Sequence, residues 1–221
     1  MYTEGYMRSL LGSLLAAFGE RLLYLGLQGS YARGEAGPGS DLDIVAVLDA
    51  LQIEDLDAYK AAEPPTATPS CGFLCGKAEL MGWNPLELFH LSQETEDYYG
   101  QLAPLLPSFC RADIVNSVKL AAGNLYHGLC HAYLHEPTDA LEAGLGAWYK
   151  AACYILQDVH YLQTGNFIRA HGELCGHLEA GQGKMVLAQH LLLRRGHKAV
   201  TMEAFRLLFT WCQGILSMEL K

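Results

Sequence analysis

The chain has 221 residues, 51% of them hydrophobic and 18% charged; a composition that apolar and that sparing of charge excludes a disordered polymer. Lys and Arg number 15 against 24 Asp and Glu, a formal charge of −9, and this balance lacks the basic surface that coating a nucleic acid requires. The length suits one large domain or two small ones with a real core.

No run of about 18 uncharged apolar residues is present, so no membrane-spanning helix is predicted. The apolar run at 10–18 follows Arg8 as a signal-peptide core would. Glu4 stands in the would-be basic region, however, Gly19-Glu20-Arg21 interrupts the run, and no small-residue cleavage site follows. The seven cysteines, at 71, 75, 110, 130, 153, 175 and 212, are odd in number and scattered. They read as free thiols in a reducing cytoplasm.

Residues 4–18 are patterned as an amphipathic helix. The apolar run 22–27 ends in Gln28-Gly29-Ser30 and reads as a strand followed by a turn. Residues 42–48 are rich in β-branched side chains and read as a second, buried strand. A helix is expected over 53–62, and the proline-rich stretch 63–70 is the strongest loop signal. Residues 71–83 and 86–95 read as two arms of a hairpin joined at Asn84-Pro85. Pro104 and Pro107 mark the boundary between a first domain, 1–110, and a second, 111–221, whose one proline is Pro137. Apolar-periodic segments at 111–135, 138–164, 167–180, 182–195 and 201–219 predict helices with short connections, which form a bundle. The fold class is α+β: a mixed-sheet domain followed by an all-α bundle.

The chemistry is concentrated at 27–44. A strand runs into Gly29-Ser30; glycine lets a ligand approach the backbone closely, and the turn opens a short helix whose free N–H groups suit a phosphate. A Gly-rich loop, 34–40, returns the chain to the sheet at Asp41-Leu42-Asp43-Ile44. On a strand, residues two apart share a face, so the carboxylates of Asp41 and Asp43 are neighbours. They repel unless a cation lies between them, and hard oxygen donors beside a triphosphate suit Mg²⁺. A Gly-Ser turn or an Asp-x-Asp strand end is ordinary alone. Together, ten residues apart and framed by apolar strands, they outline a site for metal-dependent phosphoryl or nucleotidyl transfer.

The same segment resembles the signature of the DNA polymerase β-type nucleotidyltransferase superfamily. A nucleotidyltransferase domain followed by a helical bundle is similar to the aminoglycoside nucleotidyltransferases and to the small antitoxin-type nucleotidyltransferases. The resemblance implies that Gly29 and Ser30 hold the nucleotide's β- and γ-phosphates and that Asp41 and Asp43 ligate two Mg²⁺ ions. It makes Arg33 a candidate phosphate contact and Ser40 a turn residue that positions Asp41. It also implies a third carboxylate on a later strand, as metal ligand or general base. Glu79 is the favoured candidate, with Glu87 and Glu94 as alternatives. Lys150 and Arg169, in the bundle, are candidates for reaching the triphosphate.

Weaker patterns remain. His127, His131 and His135 recur every four residues and read as a polar stripe lining the interdomain cleft, with a metal role as the alternative. Cys71 and Cys75 lack the spacing and the second pair of a zinc knuckle and read as strand packing. No His follows an Arg at the spacing of a ribonuclease partner. The function expected is an Mg²⁺-dependent nucleotidyltransferase, acting from a nucleoside triphosphate on a hydroxyl of a small molecule, aminoglycoside-like acceptors included. The alternatives are a protein AMP-transferase of the antitoxin type and a non-catalytic nucleotide-binding module. A homodimer is the expected assembly, in the cytoplasm, with neither membrane nor nucleic acid as partner.

Overall fold

A computed structural model of the chain describes residues 2–37, 39–66 and 68–220. Pro38 in the Gly-rich loop and Ala67 in the proline-rich stretch lie outside the described residues. The chain divides into two units, Met1–Phe109 and Cys110–Lys221.

In the first unit, strands β1 (Leu22–Gln28), β2 (Leu42–Leu48), β3 (Ser70–Gly76) and β4 (Glu96–Tyr99) form one sheet in the order β3-β2-β1-β4. β1 is antiparallel to β2 and to β4, whereas β2 and β3 run parallel. A parallel step needs a crossover, and helix α3 (Ile53–Ala62) lies within it. Leu42, Ile44, Ala46 and Leu48 face one side of the sheet. There they join Leu25 and Leu27 against Met7, Leu10 and Leu14 of α1 (Tyr2–Phe18). Val45 and Val47 face the other side and pack with Tyr24, Cys75 and Leu80. β2 is thus covered on both faces, which explains its continuous apolar run in place of strict alternation.

The expected hairpin does not form. Residues 71–76 belong to β3, and the chain then enters α4 (Lys77–Met81), α5 (Pro85–Glu94) and finally β4. Asn84-Pro85 is a helix start, not a hairpin turn: Asn84 Oδ1 accepts from the Leu86 N–H at 3.1 Å, with Pro85 in the first helical turn.

Helices α6 (Arg111–His135), α7 (Thr138–Thr164), α8 (His171–His177), α9 (Gln182–Arg194) and α10 (Thr201–Ser217) make up the second unit. Leu141, Leu145, Tyr149, Ala152, Leu156 and Val159 bury one stripe of α7. Gly165, at φ +75°, ends that helix in the left-handed conformation that glycine adopts without strain. The Lys119 ammonium donates to the carbonyls of Ile215 (2.7 Å), Leu216 (2.9 Å) and Met218 (2.6 Å). This places a cation at the negative end of α10. The helix expected over 167–180 is shorter than its apolar pattern suggests. The fully buried Gln157 side chain donates to the carbonyls of Ile168 (3.0 Å) and Arg169 (2.9 Å), which diverts the segment before α8 from helical hydrogen bonding. No helix among the described residues is long and apolar enough to cross a membrane.

An ion cluster ties the start of β1 to α3. The Arg21 guanidinium donates to Asp55 Oδ1 (2.9 Å) and Oδ2 (2.7 Å), and also to Asp49 Oδ1 at 3.2 Å. Asp55 Oδ2 accepts the Gln52 N–H at 2.8 Å as well, capping α3. Arg21, followed by that backbone N–H, holds the Asp55 carboxyl below the usual carboxylate range. The stabilisation is therefore complete above the unfolded pKa, about 3.9, and is lost as the pH falls below it. Urea unfolding of Asp55→Asn against the parent should show a stability gap that is open at neutral pH and narrows as the pH falls below about 3.9.

Candidate active site

β1 delivers the backbone to Gly29, which has φ +68°. A Cβ at that position would fall 1.8 Å from Asp43 Oδ2. Any side chain there would thus be strained and would also displace the carboxylate. Gln28 and Asp43 are direct partners in the β1–β2 ladder, so sheet register brings the Gly-Ser turn to the aspartate. Ser30 follows in α2 (Gly29–Ala32), a single turn closed by Arg33 N–H to Gly29 O (3.1 Å) and Glu35 N–H to Ser30 O (2.8 Å). The first N–H groups of such a turn have no acceptor within it.

A second tight turn brings the chain back. The Gly37 N–H donates to Ser40 Oγ and the Ser40 N–H to Gly37 O, both at 3.0 Å. Asp41 follows directly. Asp41, Asp43, Val45 and Val47 share one face of the β2 line by strand periodicity, and on β3 Cys71, Phe73 and Cys75 share the matching face. Asp43 pairs with Cys71 across the parallel ladder. As a result, one carboxylate oxygen from each of Asp41 and Asp43 and the Cys71 Sγ lie within 4.8 Å of one another. Asp41 and Cys71 are exposed and Asp43 is half-buried.

The candidates for a third carboxylate lie elsewhere. Glu79 is in α4, beyond the far end of β3; a Cβ on Gly76 would stand 2.2 Å from its Oε2. Gly76 is five residue steps along the strand from Cys71, roughly 17 Å, so Glu79 does not join Asp41 and Asp43. Glu87 is exposed on α5 and accepts a hydrogen bond from the Trp83 indole. Glu94 is buried and ion-paired with Arg33. The same pair corrects the expectation for Arg33. Its side chain is 3% exposed and donates to Glu35 (3.3 Å) and to Glu94. Placed so, it braces the loop between the two motif halves and is not presented to a phosphate.

Cys71 is the residue that sequence reasoning passed over. The strand-packing reading suits Cys75, whose burial, with Glu79 nearby, pushes its thiol up to about 11. Cys71 instead stands beside the aspartates. Its alternation with Phe73 and Cys75 is visible in the sequence, but its pairing with Asp43 is not. In the second unit, Lys150 is on the exposed side of α7 and Arg169 is exposed just before α8. His127, His131 and His135 are exposed on α6, with the rings of His131 and His135 4.9 Å apart. Those three do not form a group with metal-ligand spacing among the described residues.

Two carboxylates within reach of each other and of a glycine turn can hold a divalent cation and present it to an anion. The oxygen pair fits Mg²⁺; the thiol at the third position is a softer donor than Mg²⁺ prefers.

Residues 11–66 match the nucleotidyltransferase domain family, a span that contains Gly29, Ser30, Asp41 and Asp43. No curated protein matches the chain by sequence. Among solved structures, the chain is similar to spectinomycin adenyltransferase from Enterococcus faecialis, determined with ATP and spectinomycin. The identity is 13% and the TM-score 0.58, over 97% of this chain and 99% of that one. At that identity the likeness is one of fold. The first unit carries a nucleotidyltransferase domain, and the protein is an enzyme of the nucleotidyltransferase class.

Gly29→Ala should cost about 1–2 kcal/mol in stability from the left-handed backbone alone. It should also reduce turnover at saturating nucleotide, because Asp43 must move. Denaturant unfolding and pyrophosphate release on the same preparation check both effects.

Proposed function

We propose that the enzyme transfers a nucleoside monophosphate from a nucleoside triphosphate, with ATP as the donor, to a hydroxyl of a small molecule, releasing pyrophosphate. The observation that carries this reading is the seating of the Asp43 carboxylate against Gly29, with Asp41 beside it, inside the segment that matches the nucleotidyltransferase domain family.

The N–H groups of the Gly29–Ser30 turn and the Ser30 hydroxyl bind the terminal phosphates and fix their orientation. Asp41 and Asp43 hold Mg²⁺, which when bound supplies charge neutralisation at the triphosphate and activates the acceptor hydroxyl. Asp43 is the half-buried member, set against Gly29; Asp41 is the exposed one, open to an arriving acceptor. The protein's contribution is positioning and charge stabilisation rather than covalent chemistry.

A cationic, hydroxylated acceptor of the aminoglycoside kind suits a chain of charge −9, since an acidic surface steers cations inward. The fold likeness to an adenyltransferase solved with ATP and spectinomycin points the same way. A reducing cytoplasm suits the seven cysteines, none of which is in a disulfide.

The folded Asp41→Asn/Asp43→Asn double variant should release pyrophosphate at least about 100-fold more slowly than the parent, screened with four nucleoside triphosphates against a panel of hydroxylated acceptors. Release at the parental rate would refute the assignment, and α-labelled ATP that marks protein in a lysate would move the acceptor to a polypeptide. Cys71 gives a second test. Cys71→Glu places a hard oxygen donor beside the aspartates and should lower the Mg²⁺ concentration for half-maximal activity several-fold. An unchanged Mg²⁺ dependence would mean that Cys71 does not face the ion.

A further inference from the structure

Three helices of the second unit bring a thiol and two imidazoles together. Cys153 comes from the middle of α7, His171 opens α8, and His190 lies in α9. All three are buried, at 0%, 1% and 3% exposure respectively. The Cys153 Sγ and one nitrogen of each ring lie within 4.8 Å of one another. The two imidazoles meet edge to face, 5.3 Å between centroids, and Tyr154 packs against His171 at 5.9 Å. One helical turn away, Leu174, Val186 and Leu187 are each at 0% exposure, so the cluster sits within apolar packing.

One sulfur and two nitrogens make a borderline-soft donor set of the kind Zn²⁺ takes and Mg²⁺ does not. Tetrahedral zinc with these ligands has donor–donor separations of about 3.3–3.6 Å. The observed group needs to contract by at most about 1.5 Å to meet that geometry, a change that side-chain rotation supplies. The fold aims the donors inward: Gln157, one turn from Cys153 on α7, holds the Ile168 and Arg169 carbonyls and so sets where His171 enters. α8 has only seven residues, too few to be stable as an isolated helix. Fixing its first residue to α7 and α9 would anchor it.

We propose that Cys153, His171 and His190 form a zinc site, with the cysteine as thiolate, both histidines neutral, and water in the fourth position. Its role is to staple α8 to α7 and α9. It is separate from the Asp41–Asp43 site in residues, in donor chemistry and in the unit that carries it, and it lies outside the span 11–66 that matches the nucleotidyltransferase domain family.

The test uses the full chain, expressed with zinc, dialysed and analysed for metal, and then reconstituted with Co²⁺. One zinc per chain is expected, with a thiolate-to-cobalt charge-transfer band in the near ultraviolet and a higher melting temperature for the zinc-loaded than for the stripped protein. Cys153→Ser should abolish the band and weaken zinc retention beyond the roughly 10–100-fold carried by outer-shell partners. His131→Ala/His135→Ala should leave both unchanged. If Cys153→Ser does not fold, His171→Gln and His190→Gln take its place, and the cobalt spectrum of the parent needs no variant. Folded parent protein with neither stoichiometric zinc nor a charge-transfer band would overturn the proposal. Zinc retained undiminished by the folded Cys153→Ser variant, or lost with His131 and His135, would overturn it equally.

Discussion

Asp43 reaches the β1–α2 turn because Gly29 has no side chain to keep it away. A Cβ would occupy space 1.8 Å from the carboxylate oxygen, and the backbone there has the positive φ that glycine alone tolerates cheaply. The rest of the site follows from this contact. The β1–β2 ladder places Gln28 opposite Asp43; strand periodicity then puts Asp41 on the same side, and the parallel β2–β3 ladder adds Cys71. The placing of two carboxylates beside a glycine turn is thus built into sheet register.

Electrostatics around this frame separates structural charge from working charge. Arg33 lies within the motif loop, yet its buried guanidinium is committed to Glu35 and Glu94. A buried ion pair is costly to break because it leaves one charge unmatched. The pair therefore tethers the loop between Ser30 and Asp41 to the end of α5. Arg21 does similar work with Asp49 and Asp55 at the other end of β1. Asp41 and Asp43 lie apart from both clusters, beside Cys71.

Much of the architecture can be read from local chemistry. The strand at Leu42–Leu48 and the helix at Ile53–Ala62 stand where the apolar runs and their flanking polar residues predict them. The helices of the second unit fall between the Pro and Gly breaks. Elsewhere the determinants are non-local. Asn84-Pro85 serves equally as a turn or as an N-cap, and only the burial of Leu88 and Phe89 on one face decides for a helix. The pairing of Cys71 with Asp43 depends on how α3 returns the chain to the sheet, which residue spacing does not encode. Glu79 falls on a helix because β3 ends at Gly76. Arg33 reads as a loop cation until the fold brings Glu94, 61 positions away, against it. Cys153, His171 and His190 escape motif reading for the same reason: three helices bring them together, and no short spacing links them.

The central claim is that the Gly29–Ser30 turn and the Asp41–Asp43 pair grip opposite sides of one metal-bound triphosphate. A crystal structure with Mg²⁺ and a non-hydrolysable ATP analogue tests it most directly. The account predicts density for the ion between the two aspartates and for the terminal phosphates on the turn. Triphosphate bound away from Gly29, or an ion held without either aspartate, would contradict it.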